Sequence, residues 1–179
     1  MIEMTAVVSP SWDVHVPLSG RMSREDVFAA LAAIAEYGKD EDYSPEMLPA
    51  VLEEELIIMA GGLRVRDTVT GVEIEHGCCM GLEDWRAWQE LLDGRAPWLG
   101  HSSEPGVEFA DGVVRLWQDG ARRDGPACEI RTADLPGLLE GVRQDLIGFL
   151  DLVRKWAPNG LGERLAARFD EDFQISAPL

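Results

Sequence analysis

The chain has 179 residues, 46% of them apolar, which is enough to bury one hydrophobic core, and we predict a single domain over residues 1–179. Its formal net charge is −17, and residues 1–60 alone carry 12 acidic against 3 basic side chains. Binding to a nucleic-acid backbone depends on lysine and arginine, so this composition excludes direct contact with DNA or RNA. It suits a basic protein partner, and the alternative is that the acidity serves solubility alone.

The sequence also indicates the cellular compartment. No apolar stretch has the length of a membrane-spanning helix, and the N-terminal residues lack the basic start and apolar run of a secretory signal. The cysteines are three, an odd number, and two of them are adjacent, which is not a disulfide framework. We therefore expect a cytoplasmic protein that makes no membrane contact. A homodimer is compatible with the sequence.

The N-terminal region predicts an edge strand followed by a helix. Residues 11–18 alternate in polarity and reach Pro17, which is typical of a short strand at a sheet edge. Ser23 is the residue type that caps a helix start, and Gly38 is the type that ends one. A charged turn over 39–42 should follow this helix.

The next segments predict a second helix and a hairpin. Ser44-Pro45 indicates a helix start, and we expect that helix to continue through Glu55. The apolar run 56–60 predicts a buried strand that Gly61-Gly62 breaks. Residues 63–66 and 72–75 alternate on either side of a glycine-containing turn, as the strands of a hairpin do.

The central region predicts an elbow, a helix and a three-stranded unit. The small residues 77–81 lead into 82–92, whose apolar positions share one helical face. Residues 107–109 and 113–117 flank an Asp-Gly turn, a strong hairpin signal, and 128–131 should add a strand.

The C-terminal region predicts two helices. Asp134 should cap the longest helix, Pro158-Asn159-Gly160 should stop it, and a last helix spans about 162–169. Helices and hairpins mix without a β-α-β rhythm, which favours the α+β class. We expect an antiparallel sheet of about five to six strands, with two hairpins, packed against about four to five helices.

The residues most suited to chemistry are His76, Cys78 and Cys79 in the elbow, together with His101 and Cys128. Thiolates and imidazoles are zinc ligands, but adjacent cysteines can rarely both reach one tetrahedral ion, and the chain has no C-x₂-C pair. We therefore predict no metal and no cofactor. Cys78 and Cys79 are interpreted as small buried residues that pack where a strand meets a helix.

An alternative is a nucleophilic pair. Cys78 or Cys79 precedes a predicted helix start, where the helix dipole could lower a thiol pKa, and His101 could act as base, oriented by Glu104 or Glu108. No sequence signature of a cysteine-enzyme family surrounds these residues, and no catalytic residue is predicted.

Two further features suit binding. The chain has six tryptophans, and Trp98 lies in a Pro/Gly loop beside His101, where helical or strand packing explains it less easily than the others. Trp98 either fills the edge of the core or anchors a partner. Tryptophan is enriched among the residues that dominate protein interfaces. Glu53 and Glu54 belong to an acidic run that could contact a basic partner.

The central segment carries a resemblance. It reads Gly-Gly-Leu63-Arg-Val-Arg, then Gly77-Cys-Cys-Met-Gly-Leu-Glu-Asp-Trp85, then Pro97-Trp-Leu-Gly-His101, and ends in a hairpin at Trp117. Over about residues 56–156 it resembles small bacterial proteins of unassigned function. It is also similar to the immunity proteins of bacterial toxin systems, which are small, acidic, tryptophan-rich, α+β and non-enzymatic. The resemblance implies a fold type and a role, and it transfers no site residue.

These observations lead to one main hypothesis, a non-enzymatic acidic module that neutralises or regulates a basic partner by direct contact, for example an immunity protein bound to a toxin. The alternative is an enzyme, or a protein that binds a small ligand or metal, using the elbow from His76 to Cys79 with His101. A subunit of a larger assembly is the third interpretation.

Overall fold

The computed structural model describes residues 1–11, 14–37, 44–101 and 104–179. In these residues seven strands form two antiparallel sheets, of four and three strands, and the helices pack with them. The predicted α+β class with two hairpins is confirmed. The strands, however, are divided between two sheets instead of forming one.

The first sheet is built around the N-terminal strand, in the order β2-β1-β3-β4. Its strands are β1 (Ile2–Ser11), β2 (Val14–Pro17), β3 (Gly61–Asp67) and β4 (Glu73–Ile74). The edge strand that ends at Pro17 and the β3–β4 hairpin are confirmed. The sequence did not predict β1, although it pairs with β3 over its first seven residues, from Ile2 opposite Asp67 to Val8 opposite Gly61.

The second sheet is the predicted three-stranded unit, in the order β5-β6-β7. It comprises β5 (Gly106–Ala110), β6 (Val113–Trp117) and β7 (Ala127–Arg131). Asp111 and Gly112 both have positive φ, 47° and 80°, which matches the right-handed twist of the flanking strands in a two-residue hairpin turn. This hairpin is confirmed.

The first helix, α1 (Arg24–Glu36), begins where predicted. Ser23 Oγ accepts a hydrogen bond from the Asp26 amide, and the Asp26 carboxylate accepts one from the Ser23 amide, so two unpaired amides of the first turn are satisfied. The predicted end at Gly38 and the charged turn 39–42 lie outside the described residues.

The second helix is much shorter than predicted. A 3₁₀ turn (Pro45–Met47) leads into α2 (Leu48–Val51), and Glu53 to Glu55 lie in the turn that follows. The run 56–60 is not a strand either, apart from one bridge between Ala60 and Gly81, and its side chains alternate between buried and exposed.

Gly61-Gly62 begins strand β3 instead of ending a strand. A Cβ on Gly61 would lie 2.2 Å from the carbonyl oxygen of Val7, so only glycine lets β3 approach β1 this closely. The predicted break at this glycine pair is wrong, because the role of the pair depends on a strand that is distant in sequence.

The predicted central helix is a 3₁₀ helix, Leu82–Asp93. Its buried side chains, Leu82, Trp85, Trp88 and Leu91, are spaced by three residues, and in a helix of three residues per turn they fall in one line. Leu92, which an α-helix would place on the same face, is 41% exposed. Gly94, with φ 71°, ends the helix.

Two long helices complete the fold, α3 (Leu135–Trp156) and α4 (Gly162–Phe173), separated by a turn at Pro158–Gly160. Asp134 makes no side-chain cap, which corrects the prediction, because its carboxylate binds the Arg131 guanidinium at 2.7 and 2.9 Å. None of the helices in the described part of the chain combines the length and apolar character needed to cross a membrane.

One continuous apolar core includes side chains from both sheets and from α1, α3, α4 and the 3₁₀ helix. The 3₁₀ helix also holds the C-terminal segment. Trp85 Nε1 donates to the carbonyl oxygen of Phe173 at 2.9 Å, and the Arg86 guanidinium donates to the carbonyl of Gln174. These bonds satisfy carbonyl groups at the end of α4 that have no partner within the helix.

Candidate functional site

The elbow is fixed by a short antiparallel pairing with the loop that carries His101. Cys78 N donates to His101 O at 2.8 Å, and His101 N donates to Cys78 O at 3.1 Å. Two glycines make this approach possible. A Cβ on Gly77 would lie 2.4 Å from His101 O, and one on Gly100 would lie 2.6 Å from Cys78 O. Cys78 and His101 are consequently cross-strand neighbours.

Three of the predicted site residues converge at this point. The ligand atoms of Cys78, Cys79 and His101 all lie within 4.8 Å of one another. Cys79 has a φ of 64°, an uncommon conformation for a residue with a side chain, and it brings the two Sγ atoms to 3.6 Å. Cys78 is half-buried and Cys79 is exposed, so the interpretation of both as buried packing residues is wrong.

The thiol of Cys79 is not activated as a nucleophile. The hydrogen bond to Cys78, and then the negative charge that Cys78 can carry, raise the pKa of Cys79. Glu83 and Asp84 lie in the first turn of the 3₁₀ helix that follows, so acidic side chains occupy the helix start near the elbow. The neighbouring thiol of Cys78 therefore disfavours the thiolate form of Cys79.

Cys128 lies apart, buried in β7, where its thiol donates to the Val72 carbonyl at 3.4 Å. Burial raises its pKa. It is a packing residue, and it does not contribute to the elbow cluster.

His76 belongs to a different cluster, beside the first sheet. It lies over Gly62, where a Cβ would come within 3.0 Å of the His76 Cβ, so the absence of a side chain leaves room for the imidazole. His76 Nε2 lies 3.1 Å from Ser9 Oγ, and Ser9 Oγ lies 2.8 Å from His15 Nδ1. His15 Nε2 lies 3.1 Å from a Glu75 carboxylate oxygen.

One hydrogen bond fixes the tautomer of neutral His76. His76 Nδ1 donates to the Gly77 carbonyl at 2.9 Å, so in neutral His76 the other nitrogen accepts from the Ser9 hydroxyl. Ser9 Oγ also lies within hydrogen-bond distance of His15 Nδ1, and the second ring nitrogen of His15 faces the Glu75 carboxylate. Burial, the largest cause, lowers the pKa of His76, consistent with its neutral form.

Sequence reasoning did not identify Ser9, His15 or Glu75 as site residues. Their proximity depends on β1, which places Ser9 between the edge strand β2 and the segment after β4. The one available signal was His15 at an alternating position of the predicted edge strand.

Trp98 is 46% exposed, and its ring contacts the His101 imidazole edge to face at a centroid distance of 5.2 Å. It lines an open groove of about 550 Å³ that also has Glu104, Asp119 and Arg123 in its wall. The predicted proximity of Trp98 and His101 is therefore observed, and Trp98 itself lies in a groove that mixes small and apolar residues with three charged side chains.

Glu53 and Glu54 are exposed, and Glu54 lies in the wall of a second groove. This groove, which we call the acidic groove, has a volume of about 130 Å³ and is lined by Ile34, Tyr37, Val51, Glu54, Leu56, Ile57 and Ile58. Three of its apolar side chains are largely open to solvent: Tyr37 at 49%, Leu56 at 49% and Ile58 at 38%.

The wall of the acidic groove is held by α4. The Arg168 guanidinium donates to the carbonyls of Glu54 and Glu55 at 2.9 and 2.8 Å and pairs with the Asp172 carboxylate at 2.8 Å. Asp172 in turn accepts from the Ile57 amide at 2.9 Å. In the described part of the chain no ion pair involves the side chains of Glu53, Glu54 or Glu55, so their charges face solvent.

Comparison of the chain with protein-family models, with curated protein sequences and with solved structures found no match.

Proposed function

We propose that this protein is a non-enzymatic acidic module that holds a basic protein partner by direct contact in the bacterial cytoplasm, in the manner of an immunity or antitoxin protein. The observation that carries the proposal is the acidic groove, where exposed apolar side chains lie beside Glu54 and where Glu53 and Glu55, its chain neighbours, are also exposed and make no ion pair with any residue that the structure describes. Its partner would insert one apolar side chain and place basic side chains against Glu53, Glu54 and Glu55.

The chemistry of the groove supports this type of partner. A contact of this kind needs a desolvated apolar centre with charges at its rim, and the charges mainly steer the encounter. A volume of about 130 Å³ suits a single side chain and is small for a metabolite. The Arg168–Asp172 pair fixes the groove wall, which reduces the entropy lost on binding.

The net charge of the whole chain also favours a basic partner. A net charge of −17 attracts a basic protein over a distance of about one Debye length, roughly 8 Å at physiological salt. The alternative of a cysteine enzyme has less support, because the pKa of Cys79 is raised and His76 is engaged with Ser9.

The first experiment places a photo-crosslinking amino acid at Leu56 in the cells that produce the protein. The matched control places it at Val69, which is 80% exposed in the β3–β4 turn, away from the groove. We expect Leu56, and not Val69, to crosslink to a basic protein, identified by mass spectrometry. Crosslinks to a second copy of this chain, or equal labelling from both positions, would refute the proposal.

The second experiment measures association with the crosslinked partner after purification. The double change Glu53→Lys and Glu54→Lys should slow association by about tenfold at low salt, because complementary charge accelerates the encounter. Glu163→Lys is the control, since its side chain is 84% exposed at the start of α4. A rate unchanged by the groove variant, or lowered equally by both, would contradict the predicted contact.

A further inference from the structure

The elbow residues Cys78, Cys79 and His101 form a donor set that the proposed binding function does not use. Two sulfur atoms and one ring nitrogen within 4.8 Å of one another are the ligand types of zinc sites. The sequence spacing argued against such a site, because adjacent cysteines normally direct their side chains apart.

The backbone removes that objection. The positive φ of Cys79 turns its side chain back toward Cys78 and brings the two Sγ atoms to 3.6 Å. Two thiolates on a tetrahedral zinc ion, with Zn–S bonds of about 2.3 Å, are separated by roughly 3.8 Å. The observed separation thus lies within a few tenths of an ångström of the bound geometry, and it is far from the S–S bond length of about 2.05 Å in a disulfide.

The third donor comes from the other side of the short pairing. His101 is opposite Cys78, where the paired backbones exchange two hydrogen bonds, so the two side chains project from the same face. Among the described residues, none hydrogen-bonds to the His101 ring, and its contact is the edge-to-face packing with Trp98. His76 differs, because both of its ring nitrogens are engaged, by Ser9 and by Gly77.

We propose that Cys78 Sγ, Cys79 Sγ and a ring nitrogen of His101 bind one zinc-class cation. Three protein ligands leave a fourth position for water or another ligand, as in zinc sites that are open to solvent. The exposure of Cys79 and His101 gives the ion a path from solvent. Soft thiolate donors select Zn²⁺ and Cu⁺ over Mg²⁺ and Ca²⁺.

The test titrates the reduced full-length protein with Co²⁺, whose thiolate complexes absorb in the near ultraviolet and visible range, and then displaces Co²⁺ with Zn²⁺. We expect one equivalent to bind with thiolate-to-cobalt absorption, and Trp98 fluorescence to change on binding because its ring contacts His101. Cys79→Ser and His101→Ala should each weaken binding by at least about tenfold. Cys128→Ser, which keeps both elbow thiols, should change the affinity by less than about twofold.

A second readout is the urea midpoint with and without Zn²⁺. An ion that binds the folded state stabilises it, so Zn²⁺ should raise the midpoint of the wild-type protein and of Cys128→Ser but not of Cys79→Ser. Circular dichroism spectra of each variant serve as the control for folding. The proposal is overturned if Co²⁺ gives no thiolate band, or if Cys79→Ser binds as tightly as Cys128→Ser.

Discussion

Replacing Trp85 with phenylalanine tests how the C-terminal segment is held. Trp85 is fully buried, and its Nε1 donates to the carbonyl oxygen of Phe173, the last residue of α4. Phenylalanine retains most of the apolar contact but supplies no donor, so the carbonyl loses its partner inside the protein. The substitution therefore isolates one buried hydrogen bond together with a small loss of volume.

The expected cost has two parts. A buried acceptor left without a partner costs about 1–3 kcal/mol. The smaller ring leaves roughly 40 Å³ unfilled, which adds about 1 kcal/mol at about 24 cal/mol per Å³ of cavity. Trp85→Phe should lower the free energy of unfolding by about 3 kcal/mol in total.

The assay is equilibrium unfolding in urea, followed by circular dichroism so that the signal does not depend on the removed tryptophan. Trp98→Phe is the matched control, because Trp98 is 46% exposed and the same change there should cost less than about 0.5 kcal/mol. A loss below about 1 kcal/mol for Trp85→Phe, or an equal loss for both variants, would refute the reasoning.

Three further predictions concern the stability of the fold. Ser23→Ala should lower the free energy of unfolding by about 1 kcal/mol, because it removes half of the reciprocal cap of α1, and a stability unchanged in urea would argue against that cap. Gly61→Ala should cost at least about 3 kcal/mol or prevent folding, since its Cβ would meet the Val7 carbonyl at 2.2 Å, and a soluble variant with the wild-type urea midpoint would show that β1 and β3 are not so close. Asp67→Asn should make stability less sensitive to acid. The backbone amide of Val69 and then the N-terminal amine lower the pKa of Asp67 below 3.8, so this carboxylate stabilises the fold above that pH and the contribution is lost as pH falls through the folded-state pKa. Urea midpoints measured from neutral pH down into the acid range should fall less in Asp67→Asn than in the wild-type protein, and parallel curves would contradict the assigned hydrogen bonds.

Signals carried by a few neighbouring residues were sufficient to predict several elements. Ser23 and Asp26 form a cap from residues three apart, and Asp111-Gly112 adopts the positive φ values that a two-residue hairpin turn requires. These interactions lie within four or five residues, so their energies do not depend on the rest of the fold. The apolar stripe of α3 was equally readable, because it follows the helical period.

Other elements depended on partners distant in the chain. Residues 2–6 of strand β1 alternate in polarity, but this stretch is short, and the extent of the strand is defined by pairing with β3 some 60 residues later, from Ile2 opposite Asp67 to Val8 opposite Gly61. Gly61 lies inside a strand, and not at a break, because of the same pairing. Over a short stretch, the three-residue spacing of apolar side chains in the segment 82–93 is compatible with an α-helix or a 3₁₀ helix. The 3₁₀ form aligns the buried side chains of this segment against the core.

The sequence by itself determined the acidity of the surface, the α+β class, the two hairpins and the proximity of Trp98 and His101, because each follows from composition or from local contacts. Only the tertiary structure decided which side chains meet. It turned Cys79 back toward Cys78 through a single positive φ, placed His76 with Ser9 and His15, and exposed Leu56 beside Glu54. The physical reason is that a site is defined by distances of a few ångströms between segments, and those distances are set by the packing of the whole chain.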